Sequence, residues 1–243
     1  MLHARTSGGV VHVGLAVTPD AVDRAERLVH EVYVSHGYRD AGRPRRCHAV
    51  TARRAVFVAG FSGEVIGTLS LLRDSARGLP ADTLYGAELA ALRGRGRRLA
   101  EVSALAVAPA WRGAALTLVR PLVQLVGIYA RDLEAVDELC ITVHPRHAAF
   151  YERRLGFIRF GAEKPYGAVN GSPAVGLRLD LAQPPIPRAL SGALFGDAEV
   201  ARVRAALVRE LRRQTAAAGP LVQFFQFADW RRGLDARAGV EVC

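Results

Sequence analysis

Apolar and polar positions alternate over residues 10–17, then switch to helical spacing at Val22, Ala25, Leu28, Val29 and Val32. Strand-like runs rich in apolar and β-branched residues return at 55–61 and 64–72. The pattern predicts a strand, a helix and a pair of strands. Local punctuation agrees, since Thr18-Pro19-Asp20 offers an N-cap with an early proline, the helical spacing runs out at His36-Gly37, and Ser62-Gly63 suits a tight hairpin. Residues 39–46 are polar and proline-bearing, as a loop is. Further along, 84–92 reads as a short helix, 99–107 as a strand, 138–143 as a strand, 157–162 as a strand and 173–181 as another. His144-Pro145 opens a helix between the last three. A long apolar helix is predicted within 114–131, and Pro121 inside it predicts either a start near Leu118 or a kink.

The order of these elements predicts an α/β (α+β) fold, a mixed central sheet flanked by helices on both faces. Gln183-Pro184-Pro185-Ile186-Pro187 ends that core, so the chain divides into a domain over 1–182 and a C-terminal helical extension over 183–243. In the extension Asp197 can cap a helix with Val200, Val203, Leu207 and Leu211 as its apolar stripe. Phe224, Phe225, Phe227 and Trp230 are too apolar for a free tail and predict packing on the core or on a partner.

Composition narrows the classes. At 243 residues, half of them hydrophobic, the chain can bury a full core. Cys47, Cys140 and Cys243 are odd in number and lack Cys-x-x-Cys spacing, so neither a disulfide framework nor a zinc site is predicted and a reducing cytoplasm fits. The start holds no apolar stretch of signal-peptide length, and the most apolar run carries Arg120 and Pro121 and falls short of the roughly 20 residues of a spanning helix. The net charge of +10, almost all arginine, favours an acidic partner without naming one. The basic segments lack a nucleic-acid motif or an aromatic stacking set.

The chemistry concentrates in one stretch, Arg98-Leu99-Ala100-Glu101-Val102-Ser103-Ala104-Leu105-Ala106-Val107-Ala108-Pro109-Ala110-Trp111-Arg112-Gly113. Alternation assigns Glu101, Ser103, Leu105 and Val107 to one face and Ala100, Val102, Ala104 and Ala106 to the other. A carboxylate on so apolar a strand is either a proton acceptor or the partner of Arg95, Arg97 or Arg98. Arg112-Gly113, ahead of a helix, offers a guanidinium and close backbone approach to a phosphate. His144 and His147 lack a nearby carboxylate or cysteine at ligand spacing, so no metal is predicted. Ser103 has no evident relay and no nucleophile elbow, so a covalent acyl-serine is not predicted.

This stretch, taken with Phe150-Tyr151-Glu152-Arg153-Arg154-Leu155-Gly156-Phe157, resembles the GNAT acyltransferase superfamily. The run from Leu89 to Ser103, with His144-Pro145-Arg146-His147 and Val169-Asn170-Gly171-Ser172-Pro173-Ala174-Val175, is similar to the long-chain N-acyl amino acid synthases related to N-acyltyrosine synthase. The resemblance extends over about residues 28–181. It implies a GNAT-like sheet and transfer of a fatty acyl group from a thioester to the α-amine of an amino acid, with no tightly bound cofactor. Glu101 becomes the base or ammonium ligand, Tyr151 the acid for the leaving thiolate, and Ser103 a substrate contact. The backbones of Leu105 and Val107 would meet the pantetheine amides and the oxyanion on a splayed strand.

Two departures stand out. Tyr151 precedes Gly156 by one residue more than the Tyr-x-x-x-Gly-Phe spacing, and Arg112-Gly113-Ala114-Ala115-Leu116-Thr117 lacks the small residues of the usual Arg/Gln-x-x-Gly-x-Gly/Ala coenzyme A loop. The second, with Pro121 delaying the helix, favours acyl-phosphopantetheine on an acyl carrier protein over acyl-coenzyme A. The arginines of 93–98 and 197–213 would then steer the acidic carrier.

Overall fold

The computed structural model describes residues 2–6, 9–42 and 54–181, together with 201, 202, 204–206, 208 and 209. In chain order the elements are β1 (Leu2–Thr6), β2 (Gly9–Leu15), α1 (Pro19–Ser35), β3 (Arg54–Phe61), β4 (Glu64–Arg73), α2 (Asp82–Gly94), β5 (Leu99–Val107), α3 (Ala115–Ile128), β6 (Glu138–Val143), α4 (Pro145–Leu155), β7 (Ile158–Tyr166) and β8 (Ser172–Asp180). The strands form one sheet in the order β1-β2-β3-β4-β5-β6-β8-β7. Neighbours are antiparallel except β5 and β6, which run parallel. β1 was not expected from the sequence; it pairs with β2 across the short connection after Thr6.

Local signals behave as read. Thr18 Oγ1 accepts from the Ala21 amide at 3.2 Å and caps α1. Ser62 and Gly63 take φ values of +49° and +83°, the left-handed pair that a two-residue hairpin between β3 and β4 requires. His144 caps α4 through Nδ1, which accepts from the Arg146 amide at 3.2 Å. Pro121 behaves differently. α3 begins at Ala115 and carries Pro121 in its interior, so the proline neither delays the helix to Leu118 nor ends it. An interior proline costs about 3 kcal/mol, and the burial of Leu118, Leu122, Leu125 and Val126 offsets it at roughly 1.5–3 kcal/mol for each fully buried side chain.

Two layers of helix enclose the sheet. Leu28, Val29 and Val32 of α1 pack on Ala104 and Ala106, and Tyr85, Leu89 and Leu92 of α2 pack on Leu99 and Cys140. On the opposite face α3 and α4 share the main core with Phe57, Leu69, Leu71, Val175 and Leu177. Val208 of the C-terminal segment touches this core as well. The aromatic run from Phe224 to Trp230, the cap Asp197 and the whole apolar stripe Val200, Val203, Leu207 and Leu211, residues 43–46 of the polar loop, and Cys47 and Cys243 lie outside the described residues. Among the described residues no helix is long and apolar enough to cross a membrane.

The strict alternation expected of β5 fails at one place. Ser70 of β4 faces Ser103 whereas Thr68 faces Ala106, so β5 holds an extra residue and Ala104 takes φ +55°. Before this bulge Leu99 and Glu101 look toward α2; after it Ala104 and Ala106 look toward α1, while Leu105 and Val107 turn to the main core. Glu101 and Leu105 therefore stand on opposite faces of the sheet.

Candidate active site

The parallel pairing of β5 with β6 covers only Leu99↔Glu138, Ala100↔Leu139 and Glu101↔Cys140. Beyond Glu101 the two strands separate, and β6 continues by pairing its other edge with β8 up to Val143↔Val175. The bulge bends β5 away at the point of divergence, which opens the backbone edge of Val102 to Val107. A cavity of about 630 Å³ fills the gap. Its lining includes Val32, Tyr33, Glu101, Ala104 and Tyr166 from one side of the sheet and Val102, Leu105, Val119, Phe150 and Tyr151 from the other, so it passes through the sheet.

Glu101 lies at the closed end of this opening and is 3 % exposed. Its Oε2 accepts from the Ala81 amide at 2.8 Å. Burial pushes its carboxyl up to about 8, with the nearby Asp82 charge adding to the rise and the Ala81 amide opposing it. None of the three arginines of the alternative reading pairs with it among the described residues: Arg97 pairs with Glu138 and Asp180 at 3.0 and 2.5 Å, Arg98 pairs with Asp137 at 2.8 Å, and Arg95 is exposed. The turn that presents the Ala81 amide is itself held. Arg93 binds Asp74 and Asp82, each at 2.6 Å, and Asp82 Oδ2 accepts from the Leu79 amide.

Tyr151, at the C-terminal end of α4, lines the cavity, and burial raises its phenol to about 12. Its hydroxyl meets no hydrogen-bond partner among the described residues; Phe150 and Phe157 pack edge to face on its ring at 5.4 and 5.8 Å. α4 closes at Gly156, whose φ of +72° is the left-handed cap, with its N–H donating to Tyr151 O. Ser103, Leu105, Val107 and Arg112 line the same cavity. Arg112 stands on the 3-10 turn Pro109–Ala114, directly before α3, and donates to Ser35 Oγ at 3.2 Å. Gly113 is outside the lining and opens to solvent.

Sequence reading missed Tyr166. It lines the cavity near Glu101 and Thr83, and burial and the Glu101 charge lift its phenol to about 12. Tyr85 of α2 ties β7 to β8: its hydroxyl donates to the carbonyls of Ala162 and Ala174 at 2.9 and 3.0 Å, and its ring fills the space beside Gly161 and Gly176 that any Cβ would occupy. Gly161 and Gly176 carry the only sequence trace of that contact. Also missed were Tyr33, Tyr38 and Arg39, which line the cavity around the end of α1. His36, His144 and His147 line it too, and burial, with the neighbouring charges of Arg146, His144 and His36, holds the His147 imidazole below its usual range. No cluster of three or more His, Cys, Asp or Glu fit to hold a metal occurs among the described residues.

A gap between splayed parallel strands, bordered by a bulge and a buried carboxylate, defines an N-acyltransferase of the GNAT fold. The family model described as N-acyl amino acid synthase FeeM matches residues 24–180, and the chain belongs to that family. The solved structure of FeeM, an N-acyl amino acid synthase from uncultured soil microbes, is 34% identical with a TM-score of 0.63, over 71% of this chain and 92% of that one. A CoA-dependent acyl-homoserine lactone synthase, BjaI, solved with SAM and isopentyl-CoA, shares the fold at 17% identity and a TM-score of 0.53, over 79% of this chain and 88% of that one. So does an N-acetyltransferase from Lactobacillus plantarum described as putative, at 17% and 0.51, over 70% of this chain and 98% of that one. No curated protein matches the sequence.

Proposed function

We propose that this acyltransferase moves a fatty acyl group from an acyl carrier protein thioester to the α-amine of an amino acid. The observation that carries the reading is the cavity through the sheet, with a carboxyl of raised pKa on one side and an apolar limb of Val102, Val119, Ile141 and Phe150 on the other. An acyl chain suits the apolar limb and an ammonium suits Glu101.

An α-amine is largely protonated near neutral pH and attacks only as the free base. The amine therefore enters after losing its ammonium proton to solvent, and Glu101, ionised above its pKa of about 8, takes the second proton that the nitrogen sheds as it adds to the carbonyl, directly or through one water. The nitrogen adds to the thioester carbonyl, and the oxyanion is met by backbone N–H groups on the open edge of β5 beyond the bulge. Collapse forms the amide and breaks the C–S bond. The leaving thiolate is protonated by Tyr151, whose phenol stays protonated through the working range. The amine's proton ends on Glu101 and returns to solvent, from which Tyr151 is restored.

The donor is read from the mouth. Arg112 is exposed on a 3-10 turn rather than in a glycine-rich loop, which suits one phosphate better than a pyrophosphate. One observation favours coenzyme A: α3 starts immediately after Arg112-Gly113-Ala114, so a helix N-terminus is available there. The test is turnover of purified protein with acyl carrier protein and with coenzyme A thioesters of matched chains, against a panel of amino acids, with products read by mass spectrometry. An N-acyl amino acid formed faster from the carrier protein supports the proposal. Faster transfer from coenzyme A at every concentration overturns the donor, and the absence of any N-acyl amino acid overturns the acceptor.

A further inference from the structure

The segment His144-Pro145-Arg146-His147 takes no part in the steps above beyond capping α4, yet Arg146 fixes the tautomer of both its imidazoles. The Arg146 backbone N–H donates to His144 Nδ1 at 3.2 Å, and Arg146 Nε donates to His147 Nε2 at 3.3 Å. An amide nitrogen and a guanidinium only donate, so each ring nitrogen they meet is the unprotonated one and the ring proton sits on the other. His144 therefore presents Nε2–H and His147 presents Nδ1–H, and neither donor has a partner among the described residues. Burial and the charges of Arg146, His144 and His36 hold His147 below its usual range, which keeps this ring neutral. The two rings lie 6.3 Å apart, centroid to centroid, and both line the cavity.

They stand at the open end of the gap between the splayed strands. His144 directly follows β6 and Arg112 lies on the turn after β5, so the two flank the mouth from opposite strands. A chain of contacts joins the two sides. Arg112 Nη2 donates to Ser35 Oγ at 3.2 Å, Ser35 Oγ lies 3.2 Å from His36 Nδ1, the His36 ring stacks on Tyr38 at 5.7 Å, and Tyr38 Oη accepts from Arg146 Nη2 at 2.6 Å. Among the described residues no carboxylate bonds to Arg112, Arg146, His36, His144 or His147. The nearest acid along the chain, Asp40, accepts from Asn170 Nδ2 instead. This rim offers hydrogen-bond donors and positive charge with no anion of its own. A phosphate ester, whose free oxygens accept several hydrogen bonds at once, is its chemical complement.

We propose that His144 Nε2–H and His147 Nδ1–H join Arg112 in holding the phosphate at the head of the donor's pantetheine arm, with Arg146 as the positioning residue for both imidazoles, an inference that rests on the thioester donor read above. Carrier protein and coenzyme A both present a phosphate at that place. The test measures Kd, without acceptor, for acyl-pantetheine, acyl-phosphopantetheine, acyl-coenzyme A and acyl carrier protein of matched chains, in the wild type, His144→Asn, His147→Ala and Arg146→Leu. Asparagine keeps the cap of α4. The wild type binds acyl-phosphopantetheine about a hundredfold more tightly than acyl-pantetheine, and His144→Asn and His147→Ala each shrink that advantage about tenfold. Arg146→Leu shrinks it by a smaller factor, and the nitrogen-15 shifts of the His147 ring move from one tautomer to a mixture. Equal binding of acyl-pantetheine and acyl-phosphopantetheine by the wild type overturns the inference. So does a loss in the histidine variants confined to acyl-coenzyme A, which would place its second phosphate there. The carrier-protein reading fails separately, if acyl-coenzyme A is the faster donor in the wild type; equal losses for both donors in the variants then still support the phosphate site.

Discussion

The two ends of β5 are both rich in arginine and use it in opposite ways. At the N-terminal end Arg93, Arg97 and Arg98 each face a carboxylate: Asp74 and Asp82, Glu138 and Asp180, and Asp137 respectively. At the C-terminal end Arg112 and Arg146 bond to hydroxyls, Ser35 Oγ and Tyr38 Oη, which carry no countercharge. β5 spans nine residues, about 30 Å at 3.3 Å each, so the two groups are well separated. Three of the four arginines of the basic loop at 93–98 thus have carboxylate partners, and Arg93 braces the turn over Glu101. Arg95 is exposed, and Arg112 and Arg146 at the other end bond to hydroxyls without countercharge. Arg202, Arg204 and Arg209 of the extension are exposed and remain available to a partner.

Substitutions can sharpen that contrast. The largest effect is expected between the two ends, at Glu101. Glu101→Gln keeps the shape and the bond from Ala81 but cannot take a proton, so kcat should fall by roughly 10²–10⁴-fold in a protein whose circular dichroism is unchanged. A folded variant with wild-type turnover removes Glu101 from the mechanism.

Next comes the bracing network. Arg93→Ala leaves Asp74 and Asp82 facing each other without their cation, and the site is partly exposed, so the loss of stability should be roughly 1–3 kcal/mol, below the range for fully buried pairs. Urea unfolding measures it, and a midpoint equal to the wild type would mean that the network contributes nothing.

The smallest effect separates steering from bracing. Reversing charge with Arg112→Glu and Arg146→Glu should lower kcat/KM for a carrier-protein donor about tenfold at low salt, with the deficit shrinking as the Debye length falls to about 3 Å at 1 M salt. Arg98→Glu, at the other end, should leave kcat/KM for the donor unchanged while lowering the unfolding midpoint. Equal kinetic effects at both ends would erase the distinction between them.

Why the contrast escaped sequence reading is instructive. α1, the β3–β4 hairpin, β6 and α4 were legible because their signals are local: Thr18-Pro19, Ser62-Gly63 and His144-Pro145 act within a few residues of themselves. The bulge at Ala104 was not, since alternation has no mark for an inserted residue until the register with β4 is known. α3 was legible as a helix within 114–131, but of the two readings of Pro121 the start near Leu118 fails, because burial of the apolar face outweighs the local penalty of the proline, a tertiary effect. In the site, Glu101, Ser103, Leu105, Val107, Arg112 and Tyr151 converge on one cavity as the resemblance implied, and Gly113 does not. Tyr166 and Arg39 are separated from Glu101 by more than sixty residues of chain. The ion pairs that consume the arginine loop are equally long-range, as with Arg97 and Asp180. A run of charge in a sequence shows the charges and hides their partners.

The most direct measurement is the pH dependence of kcat/KM for the acceptor in the wild type and in Glu101→Gln. Two groups must lose protons for attack, the acceptor amine and Glu101, and the raised pKa of Glu101 places its ionisation near 8 rather than near the ordinary 4.5. The protonated, inactive form therefore dominates at neutral pH, and activity grows as pH rises. The account predicts that log kcat/KM climbs with a slope of two below about pH 8 in the wild type and with a slope of one, from the amine alone, in the variant. Identical slopes in the two proteins would contradict it.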